Sequence, residues 1–111
     1  MNQEAHILVT GDFHSGGRIA KLIEEQDFQR IFNDFLYTIQ DVDFAVTNLE
    51  SPLIESGQPI KKRGPAIKSL PQTAEALKFA GFNLVTLANN HIMDYGWPGL
   101  SNTISLCKTN G

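Results

Sequence analysis

Three polar clusters in this chain hold the side-chain types that metal-assisted hydrolysis uses: Gly11-Asp12-Phe13-His14, Asn48-Leu49-Glu50 and Asn89-Asn90-His91. Asp12 and Glu50 are carboxylates, His14 and His91 are imidazoles, and the asparagines add amide oxygens. That mixture suits one divalent transition metal or a pair, and manganese, iron and zinc are all compatible with it. Residues two apart on an extended chain point the same way, so Asp12 and His14 can hold one ion together if strand geometry runs on through Gly11. Glu50 can then bridge to a second. Two ions about 3.5 to 4 Å apart clamp a phosphoryl oxygen and acidify a bound water, giving a nucleophile at neutral pH. His91 is placed to donate to the leaving or a non-bridging oxygen.

Each of these residues also has a plainer reading. Asp12 before a glycine pair is a common turn or cap residue, Glu50 before Ser51-Pro52 is an ordinary loop acid, and asparagines and a lone histidine often finish a strand. Asp94 is placed to cap a following helix, with Gly96 easing the turn, or to orient His91 from behind. Lys61, Lys62 and Arg63, with Lys68 nearby, form a basic stretch that is either a solvated surface or a seat for a phosphate or a polyanionic polymer. Gly16-Gly17 can let backbone amides approach an anion, but neither a dinucleotide nor a P-loop glycine pattern is present. His6, at the opposite end of the first apolar run, falls outside the set.

The elements that must gather these clusters are legible in the apolar periodicity. Residues 6–10 (HILVT), 44–47 (FAVT) and 83–87 (NLVTL) read as buried strands, rich in β-branched side chains. Phe28, Ile31, Phe32, Phe35, Leu36 and Ile39 recur at helical spacing, with Asp27 as N-cap. A second helix is expected over residues 70–80, with Ser69 and Gln72 as a capping box and Gly81 at the left-handed position after its last turn. A third is expected from 96 or 97 to 108, with Trp97, Leu100, Ile104 and Cys107 on one stripe. The pattern βαβαβα predicts an α/β fold with a parallel sheet covered by helices. Since each cluster directly follows a strand, all three belong at the carboxyl edge of the sheet, where open α/β folds bind their ligands. The connection over residues 51–69 is long for a compact domain, which marks it as a binding loop.

At 111 residues, 41% of them hydrophobic, the chain fits one domain rather than two. A formal charge of −3 and a basic loop without aromatics argue against nucleic acid. No leader pattern and no membrane-spanning run is legible, so the cytoplasm is the default expectation. A single cysteine, Cys107, cannot form an internal disulfide and is expected in the core. Three strands with an exposed parallel edge, and a last helix with no strand after it, suggest a truncated sheet.

Residues 9–14 (VTGDFH), 46–53 (VTNLESPL) and 84–96 (LVTLANNHIMDYG) resemble, in the same order, the CapA family of poly-γ-glutamate capsule biosynthesis proteins. That family is similar to the calcineurin-like metallophosphoesterases. The resemblance implies the N-terminal part, residues 1–111, of one metallophosphatase-like layered α/β domain. It implies Asp12, His14, Glu50 and Asn90 as ligands of two divalent metals and His91 as the transition-state donor. The substrate it implies is phosphorylated or polyanionic γ-glutamyl, handled with a capsule synthesis complex at the membrane. Glu50 stands where the superfamily has a bridging aspartate, and the later histidine ligands of the superfamily have no counterpart before Gly111, so a longer parent is expected. The rival expectation is a non-catalytic polymer-binding or assembly subunit.

Overall fold

A computed structural model describes residues 3–111. Three parallel strands, β1 (Ile7–Phe13), β2 (Phe44–Leu49) and β3 (Leu84–Thr86), form one sheet in the order β1-β2-β3. The helices are α1 (Arg18–Glu24), α2 (Phe28–Phe32), α3 (Phe35–Gln40), α4 (Thr73–Ala80) and α5 (Gly96–Thr109). The chain is a mixed α/β fold with a parallel sheet, as its patterning implies.

Strands that follow one another in both sequence and space, joined by right-handed crossovers, send every connecting helix to the same face. Burial agrees. Ala45, Thr47 and Leu49 of β2 are buried, and the core is completed by Leu36 and Ile39 of α3, Ala74, Leu77 and Ala80 of α4, and Leu53 and Phe82. On the opposite face Ile7, Val9, Phe44 and Leu84 remain 63, 72, 40 and 46% exposed. The sheet is therefore covered by helices on one side only.

β1 extends past the expected end at Thr10 and contains an irregularity. Val9 pairs with Val46 and Asp12 with Asn48, so Thr10 and Gly11 together oppose Thr47. This bulge inverts the alternation: Leu8 faces the core before it and Phe13 after it, where Phe13 stacks on Phe32 with ring centroids 5.8 Å apart. Asp12 is thereby exposed beside Asn48 rather than buried under the helices. The displaced backbone is satisfied by threonines, Thr47 Oγ1 donating to the Gly11 carbonyl (3.0 Å) and Thr10 Oγ1 to that of Val46 (3.2 Å).

The single helix expected from Phe28 to Ile39 is two helices. Asn33 breaks it at φ 50°, its N–H closing α2 on the Gln29 carbonyl at 2.7 Å. Asn-Asp pairs favour such breaks because their side chains compete for backbone groups. The break lets Leu36 and Ile39 turn inward while Phe35 stays 46% exposed. At φ 50° and ψ −133° a side chain is strained and glycine is not, so Asn33→Gly is expected to raise stability by about 1 kcal/mol in a urea melt. Asp27 precedes α2 but makes no capping hydrogen bond, pairing instead with Arg30 at 3.6 Å. α1 was not anticipated; its Ile19, Leu22 and Ile23 do carry helical spacing, but over only 7 residues.

The capping box expected before α4 does not form. Ser69 Oγ lies 2.6 Å from Ser51 Oγ instead, and Gln72 precedes Thr73 without a side-chain cap. Gly81 does end α4 in the left-handed region, at φ 108°. α5 presents a different stripe from the expected one. Trp97 is 65% exposed, while buried Gly99 and Thr103 face the segment after β2: Leu53 N–H donates to Thr103 Oγ1 (2.8 Å) and Asn102 Nδ2 to the Leu53 carbonyl (2.8 Å). A methyl group on Gly99 would lie 3.1 Å from Tyr95 Cβ and 3.2 Å from Pro52 Cβ. Gly99→Ala is accordingly expected to lose about 1–2 kcal/mol, read from the shift in thermal midpoint. Cys107 packs, half-buried, against the core, and burial pushes its thiol pKa up.

Candidate metal centre

The carboxyl ends of the three strands are tied together by one residue that the sequence did not single out. Asn48, in the middle strand, donates from Nδ2 to Asp12 Oδ1 (2.7 Å) and accepts at Oδ1 from Thr86 Oγ1 (2.9 Å) and Asn89 Nδ2 (3.3 Å). Asp12, Asn48 and Thr86 are register partners across the sheet, so the row follows from the ladder. It fixes one carboxylate oxygen of Asp12 and leaves the other free. Asn89 also donates to the Leu49 carbonyl (2.8 Å) and accepts the His91 N–H (3.0 Å), pinning the β3 end to β2 and leaving Asn90 exposed. Glu50 continues the β1–β2 ladder, its N–H donating to the Phe13 carbonyl at 3.0 Å, with a half-buried side chain.

His14 is held from one side and seated against Gly16 on the other. Its Nδ1 lies 3.2 Å from Ser51 Oγ and 3.5 Å from Ser69 Oγ, and both serines are buried. Its Nε2 faces Gly16: a Cβ there would sit 2.4 Å from Nε2 and 3.1 and 3.2 Å from Cε1 and Cδ2. Those distances put the missing Cβ against the Nε2 edge of the ring but well out of the ring plane. Glycine at 16 thus lets the imidazole lie against the backbone in its place beside Ser51 and Ser69, which a larger residue would push away.

His91 has a different environment. Its Nδ1 is 2.6 Å from Asp94 Oδ2, and the same carboxylate accepts the Ile67 N–H at Oδ2 (2.8 Å) and the Lys62 ammonium at Oδ1 (2.5 Å). Asp94 is 1% exposed and the Lys62 side chain 21%. Burial works to raise the Asp94 pKa, but Lys62, the Ile67 amide and His91 outweigh it and hold the carboxyl below its usual range. An ionised carboxylate can only accept, so His91 carries a proton on Nδ1 and presents Nε2 outward. Asp94 does not cap α5: that position is Tyr95, and no side chain caps there. Nor is Lys62 a free cation for a ligand, since its ammonium is committed to Asp94; Lys61 and Arg63 beside it are exposed.

The expected ligands thus share one sheet edge but are not brought into one closed shell. Among the described residues no three His, Cys, Asp or Glu side chains converge enough to enclose an ion by themselves. In kind, however, the donors fit a divalent ion: an Asp12 oxygen with no partner among the described residues, the exposed His14 imidazole, Glu50 and the exposed Asn90 amide. Asn48, Ser51 and Ser69, which hold Asp12 and His14 in place, were legible only as polar residues near strand ends, because their partners lie 18 to 55 residues away in the chain.

Comparison with known proteins gives a consistent picture. Residues 6–111 match the family described as bacterial capsule synthesis protein PGA_cap. The chain is 28% identical over 110 residues to the capsule biosynthesis protein CapA of Bacillus anthracis, covering 96% of this chain and 27% of that protein. It is 25% identical over 95 residues to the PGA biosynthesis protein CapA of Bacillus subtilis, covering 85% of this chain and 25% of that one. A probable polyglutamine synthesis accessory protein of Mycobacterium tuberculosis is 30% identical over 63 residues, covering 57% of this chain and 17% of its own length. The chain thus spans about a quarter of the two Bacillus relatives.

Proposed function

The chain belongs to the bacterial capsule synthesis family PGA_cap, and we propose that it contributes the strand-end half of a metal-dependent hydrolase site that acts on a phosphorylated or polyanionic γ-glutamyl substrate during capsule polymer synthesis. The observation that carries this reading is the presentation of His14, an exposed residue whose Nδ1 is nevertheless held by buried serines and whose ring is seated against Gly16, where a Cβ would displace it. A surface histidine without a ligand needs neither.

Asp12, His14, Glu50 and Asn90 would hold divalent metal, manganese, iron or zinc, which when bound supplies Lewis acidity toward a phosphoryl or carbonyl oxygen. The work of the chain's own side chains follows from their hydrogen bonds. Asn48 fixes the direction of the Asp12 carboxylate. Asp94 holds the Nδ1 proton of His91, so that Nε2, when it is protonated as well, is the atom that donates to the leaving or a non-bridging oxygen of the substrate. Lys61 and Arg63 add positive charge in the exposed part of the loop, suited to phosphate or to the carboxylates of a γ-glutamyl chain. The substrate's place in capsule polymer synthesis is taken from what the Bacillus relatives are named for, and a capsule synthesis complex as the partner is part of the proposal.

A second reading, a non-catalytic subunit that binds polymer or aids assembly, is favoured by the absence of a closed ligand shell among the described residues. Calorimetric titration with Mn²⁺, on this chain and on the longest natural protein that contains it, separates the two. Asp12→Ala is expected to weaken binding at least about tenfold and to abolish hydrolysis of a phosphomonoester such as p-nitrophenyl phosphate in the longer protein. No metal uptake by either form, together with poly-γ-glutamate binding that survives Asp12→Ala, leaves the binding subunit as the function.

A further inference from the structure

The loop over residues 51–69 contacts one candidate imidazole, His14, directly and reaches the other, His91, through Asp94. At its base the two ends meet. Ser69 N–H donates to the Pro52 carbonyl (3.0 Å), Ile54 N–H to the Ser69 carbonyl (3.1 Å), and the Ser51 and Ser69 hydroxyls lie 2.6 Å apart facing His14 Nδ1. Further along, three points of the loop converge on one residue: Ile60 N–H on the Asp94 main-chain carbonyl (2.8 Å), Lys62 Nζ on Asp94 Oδ1 (2.5 Å) and Ile67 N–H on Asp94 Oδ2 (2.8 Å).

We propose that this loop is a positioning element for both imidazoles at once, Ser69 acting on His14 at its base and Lys62 acting on His91 through Asp94. The proposal deepens the hydrolase reading and rests on it for its functional meaning, although the positioning itself can be tested without metal.

The physical argument starts from entropy. Ordering an irregular loop costs conformational entropy at every residue, so a long loop that converges on two buried points does so against a substantial opposing force. A surface loop with no positioning role has no need of a lysine turned inward onto a buried carboxylate. Desolvating such a pair is unfavourable, and it is tolerated where it fixes a geometry. Here the geometry is that of Asp94: with Lys62 on one oxygen and the Ile67 amide on the other, the carboxylate cannot rotate, and Oδ2 stays aimed at His91 Nδ1. At the base the two hydroxyls work as a unit. One donates to the other, and between them they accept from Nδ1 when Nε2 is the ligating nitrogen, which fixes the tautomer a metal ligand needs. Lys61, Lys62 and Arg63 are all exposed as residues, and it is the side chain of Lys62, 21% exposed, that is laid against Asp94.

The test is nitrogen-15 NMR of the imidazole rings in the metal-free protein, with Mn²⁺ affinity measured alongside. Ser69→Ala is expected to move the ring-nitrogen shifts of His14 and leave those of His91, and to weaken Mn²⁺ binding about tenfold. Lys62→Met is expected to move the His91 shifts and leave those of His14. Unchanged His14 signals in the first variant, or unchanged His91 signals in the second, overturn the proposal. Should either variant fail to fold, acetylation of the unaltered protein decides. Lys62 is expected to react at least about tenfold more slowly than Lys61, because its ammonium is held by Asp94, and equal rates overturn the latch. Ring shifts that respond as expected in a protein that takes up no Mn²⁺ leave the positioning intact and remove the hydrolase reading alone.

Discussion

Asp94→Asn is expected to lower the unfolding free energy by about 3 kcal/mol, which for a chain of this size moves the thermal midpoint down by roughly 10–20 °C. The substitution keeps the volume and removes the charge, so packing is not what fails. It leaves the Lys62 ammonium, with a side chain only 21% exposed, without its counter-charge, and with the amide oxygen kept toward His91 and Ile67 it turns an NH2 donor onto that ammonium. Removing the other partner should be milder. In Lys62→Met the carboxylate still accepts from Ile67 and His91, so about 1–2 kcal/mol is expected, and the inequality between the two variants is itself a check on which group is buried the deeper. The acid limb follows from the sign of the pKa shift. Asp94 is held below the ordinary carboxylate value in the folded state, so its contribution is fully present above the unfolded value near 4 and is lost as the pH falls through the lower native value. Circular-dichroism melts between about pH 2 and 6 should show wild-type stability falling steeply at the acid end, and Asp94→Asn should flatten that part of the curve. A pair of parallel curves would mean that Asp94 is not ionised where it sits.

The second large effect is functional rather than structural. In Gly16→Ala the new methyl group would lie 2.4 Å from His14 Nε2, against the face of the ring, so the ring must leave its place against Ser51 and Ser69. The His14 side chain is exposed and can swing into solvent, which keeps the expected loss of stability to about 1 kcal/mol or less. Divalent-metal affinity should nevertheless fall roughly 10–100-fold, the range for disturbing a ligand's supporting contacts. Gly16→Ala and His14→Ala should then bind Mn²⁺ about equally weakly and melt close to wild type. If the alanine at 16 leaves affinity unchanged, Nε2 is not the ligating atom.

The strands, the alternation of strands with helical stretches and the positions of the polar clusters were legible in the sequence, because strand and helix periodicities are properties of neighbouring residues, though α1 and the split between α2 and α3 were not. What was not legible depends on partners far along the chain. The bulge between Val9 and Asp12 is invisible in β1 alone and appears only against the register of β2. Without it Asp12 would face the helices, so the exposure of the leading candidate ligand rests on a feature no local pattern announces. Ser69 carries every mark of a helix cap and is drawn off by Ser51, and Asp94 carries the mark of a cap for α5 and is drawn off by Lys62, Ile67 and His91. In both cases a short-range preference worth about 1 kcal/mol yields to a buried hydrogen-bonding partner. Lys62 was expected to share one role with Lys61 and Arg63, as solvated surface or as a seat for an anion, and composition alone cannot tell which of three adjacent cations turns its ammonium onto a buried carboxylate. The stripe on α5 was misplaced for a related reason: Gly99 and Thr103 face inward because Pro52 and Leu53 come close, and neither residue registers on an apolar count.

The strand order β1-β2-β3 has a consequence for biosynthesis. Each strand pairs with the one made just before it, about 40 residues upstream, and none has to be inserted between two strands already joined. At the roughly 5–20 residues per second of translation, each strand leaves the ribosome some seconds after its neighbour, and α1, α2 and α3 have emerged before β2 docks. The sheet can therefore grow at its free edge in the order of synthesis, with β1 as the template and the ligand-bearing ends of all three strands arriving on the same side in turn.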